Sequence, residues 1–170
     1  NASTPIDTYT KLLSHFDGSN AQTTYTAEVG GTISFFGDAQ LSTAQQEFGA
    51  SSLYCNGTGY ITLPNSSDWD ISTGDFTIDF WFRTTDNTQS QMLFNHATND
   101  ATYMNLYWDG SNWQFYDVTS GITITGADTI SNNTWYHVAL VRNGTGFVIY
   151  RGGTSKGTAT SASSLGSYTG

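Results

Sequence analysis

The sequence contains few charged residues and very few basic ones. Asp, Glu, Lys and Arg make up 11% of the 170 residues, about half of the usual share of roughly 25%. Five Lys and Arg stand against fourteen Asp and Glu, which gives a net charge of −9. This balance argues against binding to the phosphates of nucleic acid and to anionic membrane surfaces. No apolar run approaches the roughly 18 residues that a membrane-spanning helix needs.

Cysteine and proline are also scarce. A single cysteine, Cys55, excludes an internal disulfide. Cys55 has the parity of Leu53 and is expected to be a small buried side chain. The two prolines leave the eighteen glycines to make most turns. The polar surface must come from Ser, Thr, Asn and Gly, which is typical of an extracellular or virion-surface protein, and the length fits one domain.

What the sequence does contain is apolar alternation with a period of two. In residues 76–83 (FTIDFWFR), the apolar parity begins at Phe76 and the other parity includes Asp79 and Trp81, which predicts a strand with one buried face. Residues 135–144 (WYHVALVRNG) are apolar on both parities up to Arg142, as expected of a strand packed on both sides. Further strands are expected near 91–96, 103–108, 112–118, 122–125 and 146–151, with turns at Asp109-Gly110 and Asn143-Gly144.

No segment shows a sustained apolar period of 3.6 residues, so the sequence predicts an all-β antiparallel sandwich or barrel. Before residue 76, we expect a short strand over 12–16, a long connection over 20–50 carrying a short strand, and a hairpin that joins 52–55 to 60–63. The predicted organisation is a flexible lead-in over 1–10, a sandwich over 11–155, and a Gly/Ser/Thr-rich tail over 156–170 that forms an incomplete edge. The tail has Leu165 and Tyr168 as its main anchors.

Five segments in order resemble the laminin-G-like members of the concanavalin A-like lectin/glucanase superfamily. They are 13–18 (LSHFDG), 48–54 (FGASSLY), 57–64 (GTGYITLP), 74–82 (GDFTIDFWF) and 135–144. The likeness runs from about residue 11 to 155. It implies a jelly-roll β-sandwich of two antiparallel sheets, of a kind common in phage and bacterial surface proteins that bind or adhere. Relatives end with a strand that returns beside the first strand. This chain stops without such a strand, so we expect either that it is a fragment or that another chain supplies the missing edge.

The residues argue against an enzyme. The hydrolases of the superfamily arrange Glu-x-Asp-x-x-Glu on one strand, and a glycosidase needs two carboxylates about 5 to 9 Å apart. The matching strand here offers only Asp75 and Asp79. The three histidines, His15, His96 and His137, lie on separate strands without a metal-ligand pattern, and His137 is expected to be a hydrogen-bonded core residue.

Two candidate binding sites follow from the residue types. A sugar is bound by an aromatic platform together with planar polar groups, and the candidates for a glycan site are Asp79, Trp81, Arg83, Tyr107 and Trp108. Calcium takes about six to eight oxygen ligands, and the candidates are Asp17, Asp68 and Asp70. The alternative for these aspartates is an ordinary role in solvated turns. The opening loop has no second carboxylate between Asp17 and Glu28, which weakens the calcium hypothesis.

Two functional hypotheses remain open. The first is a structural or adhesion module on an outer surface, that of a phage virion, as a capsid decoration or tail appendage. Its partners would be other virion or surface proteins, further copies of itself and cell-surface glycans. The second is a secreted carbohydrate-binding module of a larger bacterial enzyme. Both place the protein on a virion surface or outside the cell.

Overall fold

The computed structural model describes residues 6–99 and 101–168, and these residues form an almost purely β structure. They contain thirteen strands and one short 3-10 helix, Ser67–Trp69, and no α-helix. No helix in these two ranges is long and apolar enough to cross a membrane. The chain divides into two compact units, residues 1–68 and 69–170, which are described separately. The all-β prediction is confirmed.

The first unit contains two small antiparallel sheets. Its strands are β1 (Thr24–Thr26), β2 (Thr32–Phe36), β3 (Gln40–Ser42), β4 (Ser52–Tyr54) and β5 (Tyr60–Thr62). One sheet has the order β1-β2-β5, and the other pairs β3 with β4. The core of the unit is formed by Tyr25, Ala27, Ile33 and Leu41. The predicted strand at 12–16 is reduced to one bridge between Leu13 and Val29.

The predicted hairpin between 52–55 and 60–63 is wrong. Its two halves are β4 and β5, and each pairs with an earlier strand, β3 and β2 respectively. The turn residues between β4 and β5 predicted that these two strands pair with each other. The strands pair instead through cross-strand apolar neighbours, such as Leu41 with Leu53 and Phe35 with Ile61. Cys55 lies just after β4 and is exposed, so its predicted burial is also wrong.

The second unit is a sandwich of two four-stranded antiparallel sheets. Its strands are β6 (Phe76–Phe82), β7 (Gln91–Asn99), β8 (Thr102–Trp108), β9 (Asn112–Asp117), β10 (Thr123–Ala127), β11 (Tyr136–Asn143), β12 (Gly146–Arg151) and β13 (Thr154–Thr160). One sheet has the order β10-β9-β8-β7 and the other β13-β12-β11-β6. The strands predicted from alternation therefore exist. The predicted start of the tail at residue 156 falls inside β13.

The inner faces of these two sheets form one hydrophobic core. Leu106, Trp113 and Phe115 come from the first sheet, and Leu140 and Phe147 from the second; all are buried. The rings of Phe115 and Phe147 stack at 6.1 Å between centroids. Because successive residues of a strand point to opposite faces, this burial directs their neighbours in sequence to the outer faces.

The last described residues are anchored to this core. Leu165 and Tyr168 are 2% and 1% exposed. The hydroxyl of Tyr168 donates a hydrogen bond to the buried carboxylate of Asp117, and burial, the larger cause, together with this bond raises the pKa of Tyr168. Leu165 and Tyr168 therefore pack the end of the chain against the core, although its Gly/Ser/Thr-rich composition predicts weak packing.

Two glycines allow an edge of one sheet to approach an edge of the other. A Cβ on Gly126 of β10 would lie 2.7 Å from the backbone oxygen of Lys156 in β13, and one on Gly157 would lie 2.7 Å from Cγ2 of Ile124. We expect Gly126→Ala to lower the free energy of unfolding by about 1–3 kcal/mol, because backbone must move to admit the methyl group. Urea unfolding measures this change. Gly146→Ala is the control, because a Cβ on Gly146 would lie no closer than 3.5 Å to its nearest neighbour, the backbone oxygen of Asn143. An equal or smaller loss for Gly126→Ala than for Gly146→Ala would contradict the close approach.

Candidate functional site

The outer face of the β7–β10 sheet carries tyrosines and amides and no charged side chain among its described strand residues. We call this surface the tyrosine–amide face. It consists of outward-pointing residues that alternate with the buried core residues: Met92, Asn95, Ala97, Tyr103, Asn105, Tyr107, Gln114, Tyr116, Thr123 and Thr125. Among its tyrosines and amides, Asn95 is exposed and the others are half-buried. Such a surface offers flat apolar rings beside hydrogen-bonding groups.

The strand register aligns these side chains in two rows that cross the sheet. Asn95, Asn105, Tyr116 and Thr123 form one row of cross-strand partners. Met92, Tyr107, Gln114 and Thr125 form the next. Adjacent strands are about 4.8 Å apart, so each row is a continuous strip across four strands.

Side-chain hydrogen bonds hold the amides of this face in place. The amide of Asn95 donates to Oδ1 of Asn105, and the hydroxyl of Thr125 donates to Oε1 of Gln114 at 2.8 Å. The amide of Gln114 donates in turn to Oδ2 of Asp109 at 2.7 Å, in the turn after β8. A ligand therefore meets polar groups that are already oriented, which lowers the entropy lost on binding.

The Asp109 carboxylate at this edge is a hydrogen-bond acceptor and not a candidate acid. Burial acts to raise its pKa, but hydrogen bonds from Gln114, Ser111 and Asn112 outweigh it, so the pKa lies below the ordinary value. A glycosidase needs a second carboxylate and one acid with a raised pKa. The described outward residues of β7–β10 contain no carboxylate.

A depression lies at the β7–β8 end of the tyrosine–amide face. It has a volume of about 240 Å³ and is lined by Asn95, Ala97, Asn99, Tyr103 and Asn105. Tyr103 contacts Tyr116 at its rim, edge to face, with 6.1 Å between ring centroids. The depression is smaller than the roughly 300–1,000 Å³ of a drug-sized pocket, so it suits one small ring.

Three of the five predicted glycan residues lie on β6 or just after it. Asp79 accepts a hydrogen bond from His137 Nε2 at 2.8 Å, and the Trp81 ring, 41% exposed, lies 5.5 Å from the His137 ring. Arg83 donates to Asn133 Oδ1 at 2.8 Å. The predicted core position of His137 is wrong: its side chain is 34% exposed on the outer face of the β6–β11 pair.

The other two predicted glycan residues lie elsewhere and point in opposite directions. Tyr107 belongs to the tyrosine–amide face, on a different sheet from β6. Trp108 is 1% exposed, and its indole nitrogen donates to the backbone oxygen of Asn87 at 2.7 Å. The predicted role of Trp108 is therefore corrected to that of a core residue. The five residues do not form a single site.

The three predicted calcium ligands each have a protein partner. Asp17 accepts from the Ala50 amide at 2.7 Å, and Asp68 forms an ion pair with Lys11 at 2.9 Å, whose hydrogen bond is the main cause that lowers the Asp68 pKa. Asp70 accepts from the Ser167 hydroxyl at 3.4 Å. Across residues 6–99 and 101–168, no group of three or more His, Cys, Asp or Glu side chains could hold a metal ion. Calcium binding by Asp17, Asp68 and Asp70 stays a prediction.

Comparison with protein families agrees with this architecture. The profile of the Laminin_G_3 family, described as concanavalin A-like lectin/glucanases superfamily, matches residues 55–170, more than half of the chain. The chain belongs to the concanavalin A-like lectin/glucanases superfamily. The predicted family and the jelly-roll sandwich are thereby confirmed. No curated protein matches the chain.

Two solved structures share the fold of this superfamily member. Domain 4 of AbnA, a GH43 extracellular arabinanase from Geobacillus stearothermophilus solved with arabinotriose, has a TM-score of 0.64 and 17% identity, and the match covers 88% of this chain and 81% of that one. An S-layer domain-containing protein from Clostridium thermocellum has a TM-score of 0.54 and 21% identity, with 91% and 74% covered. At these identities the likeness shows the fold alone.

The tyrosine–amide face was within reach of sequence reasoning. In β8 the outward Tyr103, Asn105 and Tyr107 alternate with buried residues, and in β9 Gln114 and Tyr116 do the same. This is the period of two that identified β6. Tyr107 and Trp108 are adjacent in β8 and therefore have opposite parities, so they cannot lie on the same face of the sheet.

Proposed function

We propose that this protein is a non-enzymatic carbohydrate-binding module that acts outside the cell and holds a glycan on the tyrosine–amide face. The observation that carries the proposal is the combination, on one sheet face, of three tyrosines with oriented amides and without charge. Sugar rings pack their C–H faces on aromatic rings, and their hydroxyls pair with groups that both donate and accept.

Two further observations support this proposal. Met92 is 58% exposed and lies directly across the strand pair from Tyr107, which extends the apolar part of the face. The Geobacillus stearothermophilus domain of the same fold was solved with arabinotriose and belongs to an extracellular enzyme. Short arabinose oligosaccharides are therefore the first ligands to test.

The proposal predicts that Tyr107→Ala weakens glycan binding by about 5- to 30-fold, or roughly 1–2 kcal/mol, because the variant loses an aromatic contact at the centre of the face. Titration calorimetry with arabinotriose, and a glycan array where that sugar is not bound, measure the change. Circular dichroism confirms that the variant is folded.

Two control variants separate this face from the rest of the molecule. Tyr150→Ala makes the same change on β12, in the other sheet, and Trp81→Ala removes the aromatic ring that the sequence favoured. Both should bind glycan as the unchanged protein does. Loss of binding in Trp81→Ala together with full binding in Tyr107→Ala would move the site to β6 and overturn the proposal.

Display on a phage virion, as a decoration or tail protein, stays a prediction, and so does assembly into a homo-oligomer. The scarcity of charge and the Ser, Thr and Asn surface support an outer-surface location. Size-exclusion chromatography with light scattering distinguishes the two hypotheses: a trimer or larger assembly favours display on a surface, and a monomer that binds glycan favours a module of a larger enzyme.

A further inference from the structure

The tyrosine–amide face also indicates the class of its ligand. Given the proposed function, on which this inference rests, we propose that the glycan is uncharged and that Asn95 and Asn105 hold one of its sugar rings at the depression. Three observations support this proposal: the positions of the cations, the hydrogen-bonding capacity of the two amides, and the size of the depression.

None of the five basic residues of the chain lies on strands β7–β10. Arg142 is 3% exposed and donates to backbone carbonyls. Arg151 and Lys156 both bind the carboxylate of Asp128. Acidic groups of sugars, such as uronate, sulfate and sialate, are recognised by Arg or Lys. In the second unit, Arg142, Arg151 and Lys156 bind other groups of the protein, and Arg83 follows β6, which belongs to the other sheet.

The net charge of −9 adds to this argument. A strongly acidic protein repels an acidic polysaccharide at long range, and no local cation on this face offsets the repulsion. A neutral glycan meets no such barrier. Its binding should also be insensitive to salt, because salt screens only interactions between charges.

The Asn95–Asn105 pair matches the hydroxyls of a neutral sugar. The bond between the two side chains uses one N–H of Asn95 and the Oδ1 of Asn105. That bond leaves the NH₂ group of Asn105 as a donor and the Oδ1 of Asn95 as an acceptor on the same face. A pair of adjacent sugar hydroxyls can accept from the first and donate to the second.

The size of the depression limits what the pair can hold. Its volume of about 240 Å³ is below the range for a larger ligand, so a single ring occupies it. The remaining rings of the glycan then extend across the strands along the row that contains Tyr116. This places Asn95 and Asn105 as specificity-determining residues, with the tyrosines as the less selective platform.

The test compares two sets of probes with the unchanged protein. The neutral set contains arabino-, xylo-, manno- and gluco-oligosaccharides, and the acidic set contains oligogalacturonates, heparin fragments and sialylated glycans. We expect binding from the neutral set, with a dissociation constant that changes less than about twofold between 20 mM and 500 mM NaCl. We expect Asn105→Asp to weaken that binding about tenfold, because it removes two donors without changing shape.

A matched variant is the control for the Asn105→Asp measurement. Asn143→Asp introduces the same charge at the exposed end of β11 and should leave the affinity unchanged. Binding confined to the acidic set, with an affinity that falls as salt is added, would overturn this inference and leave glycan binding intact. Equal affinities for Asn105→Asp and Asn143→Asp would overturn the role of the amide pair. No binding to either set would overturn the proposed function itself.

Discussion

Replacing Asp128 with Asn should lower the free energy of unfolding by about 3–5 kcal/mol, because it removes the anion from a buried network. The Asp128 side chain is 5% exposed and binds both Arg151 and Lys156, the latter at 2.8 Å. It also accepts from the indole nitrogen of Trp113 at 2.8 Å. Trp113 lies on β9, whereas Arg151 and Lys156 lie on β12 and β13, so one carboxylate ties the two sheets of the sandwich together. The variant leaves two partly buried cations without their anion.

The Asp128 network also sets a pH dependence. Burial acts to raise the pKa of Asp128, but hydrogen bonds from Arg151, Lys156 and Trp113 hold it far below its ordinary value of 3.8. A carboxyl group whose pKa is lower in the folded state stabilises the fold at every pH above its unfolded pKa. That contribution is lost as the pH falls from about 4 towards the folded pKa. The difference in stability between the unchanged protein and Asp128→Asn should therefore be larger at pH 7 than at pH 3.

Urea unfolding at pH 7 and at pH 3 measures both effects. Asp79→Asn is the matched control, because Asp79 accepts a hydrogen bond from His137 and its side chain is 53% exposed. Exposed pairs contribute about 0–1 kcal/mol. If the two variants lost equal stability at pH 7, Asp128 would not be the link between the sheets.

Replacing Arg142 with Met should cost about 2–4 kcal/mol of unfolding free energy. The variant loses hydrogen bonds from a charged group, which contribute roughly 1.5–3 kcal/mol each. This loss is offset in part because Met, unlike the buried guanidinium, carries no charge that must be removed from water on folding. The Arg142 guanidinium donates to the backbone oxygens of Gly144 at 3.0 Å, Ser72 at 2.7 Å and Ser163 at 3.3 Å. It also lies 4.8 Å from the centre of the Phe147 ring. One side chain thus joins a strand turn, the loop before β6 and the segment after β13.

Amide hydrogen exchange locates the effect of this variant as well as its size. We expect faster exchange at residues 161–168 in Arg142→Met, since that segment loses one of its attachments. Arg83→Met is the control, because Arg83 makes an exposed hydrogen bond to Asn133 and its loss should change stability by less than about 1 kcal/mol. Unchanged exchange at 161–168 in Arg142→Met would show that the arginine does not hold this segment.

Strand positions could be predicted from the sequence, but strand partners could be predicted only where the turn was tight. Asn143-Gly144 joins β11 to β12 as expected, because the turn itself brings the two strands together. The longer turn between β4 and β5 allowed each strand to pair with a distant partner instead. Arg142 has the inward parity of Leu140, yet nothing in the sequence shows which distant carbonyls would accept its hydrogen bonds. The anchoring of Tyr168 by Asp117 is hidden for the same reason.

The candidate site, too, could be predicted from the sequence only in part. The residue types of a glycan site were recognised, and Tyr107 was included. The sheet to which each residue belongs was not predictable, because β6 and β8 alternate alike in sequence but lie in different sheets. The role of Trp108 was predicted wrongly because an aromatic residue suits a hydrophobic core as well as a sugar-binding surface. Trp108 has the same parity as the buried Leu106 and Met104, and this parity identifies it as a core residue.

The most direct test of the central claim is a map of amide and side-chain chemical shifts in the protein during titration with a neutral oligosaccharide that it binds. Glycan binding on the tyrosine–amide face predicts that the largest changes occur at the side-chain amides of Asn95, Asn105 and Gln114 and at the rings of Tyr107 and Tyr116. It also predicts that the Trp81 indole signal stays in place. Changes centred on Trp81 and His137, with the three amides unmoved, would contradict the account.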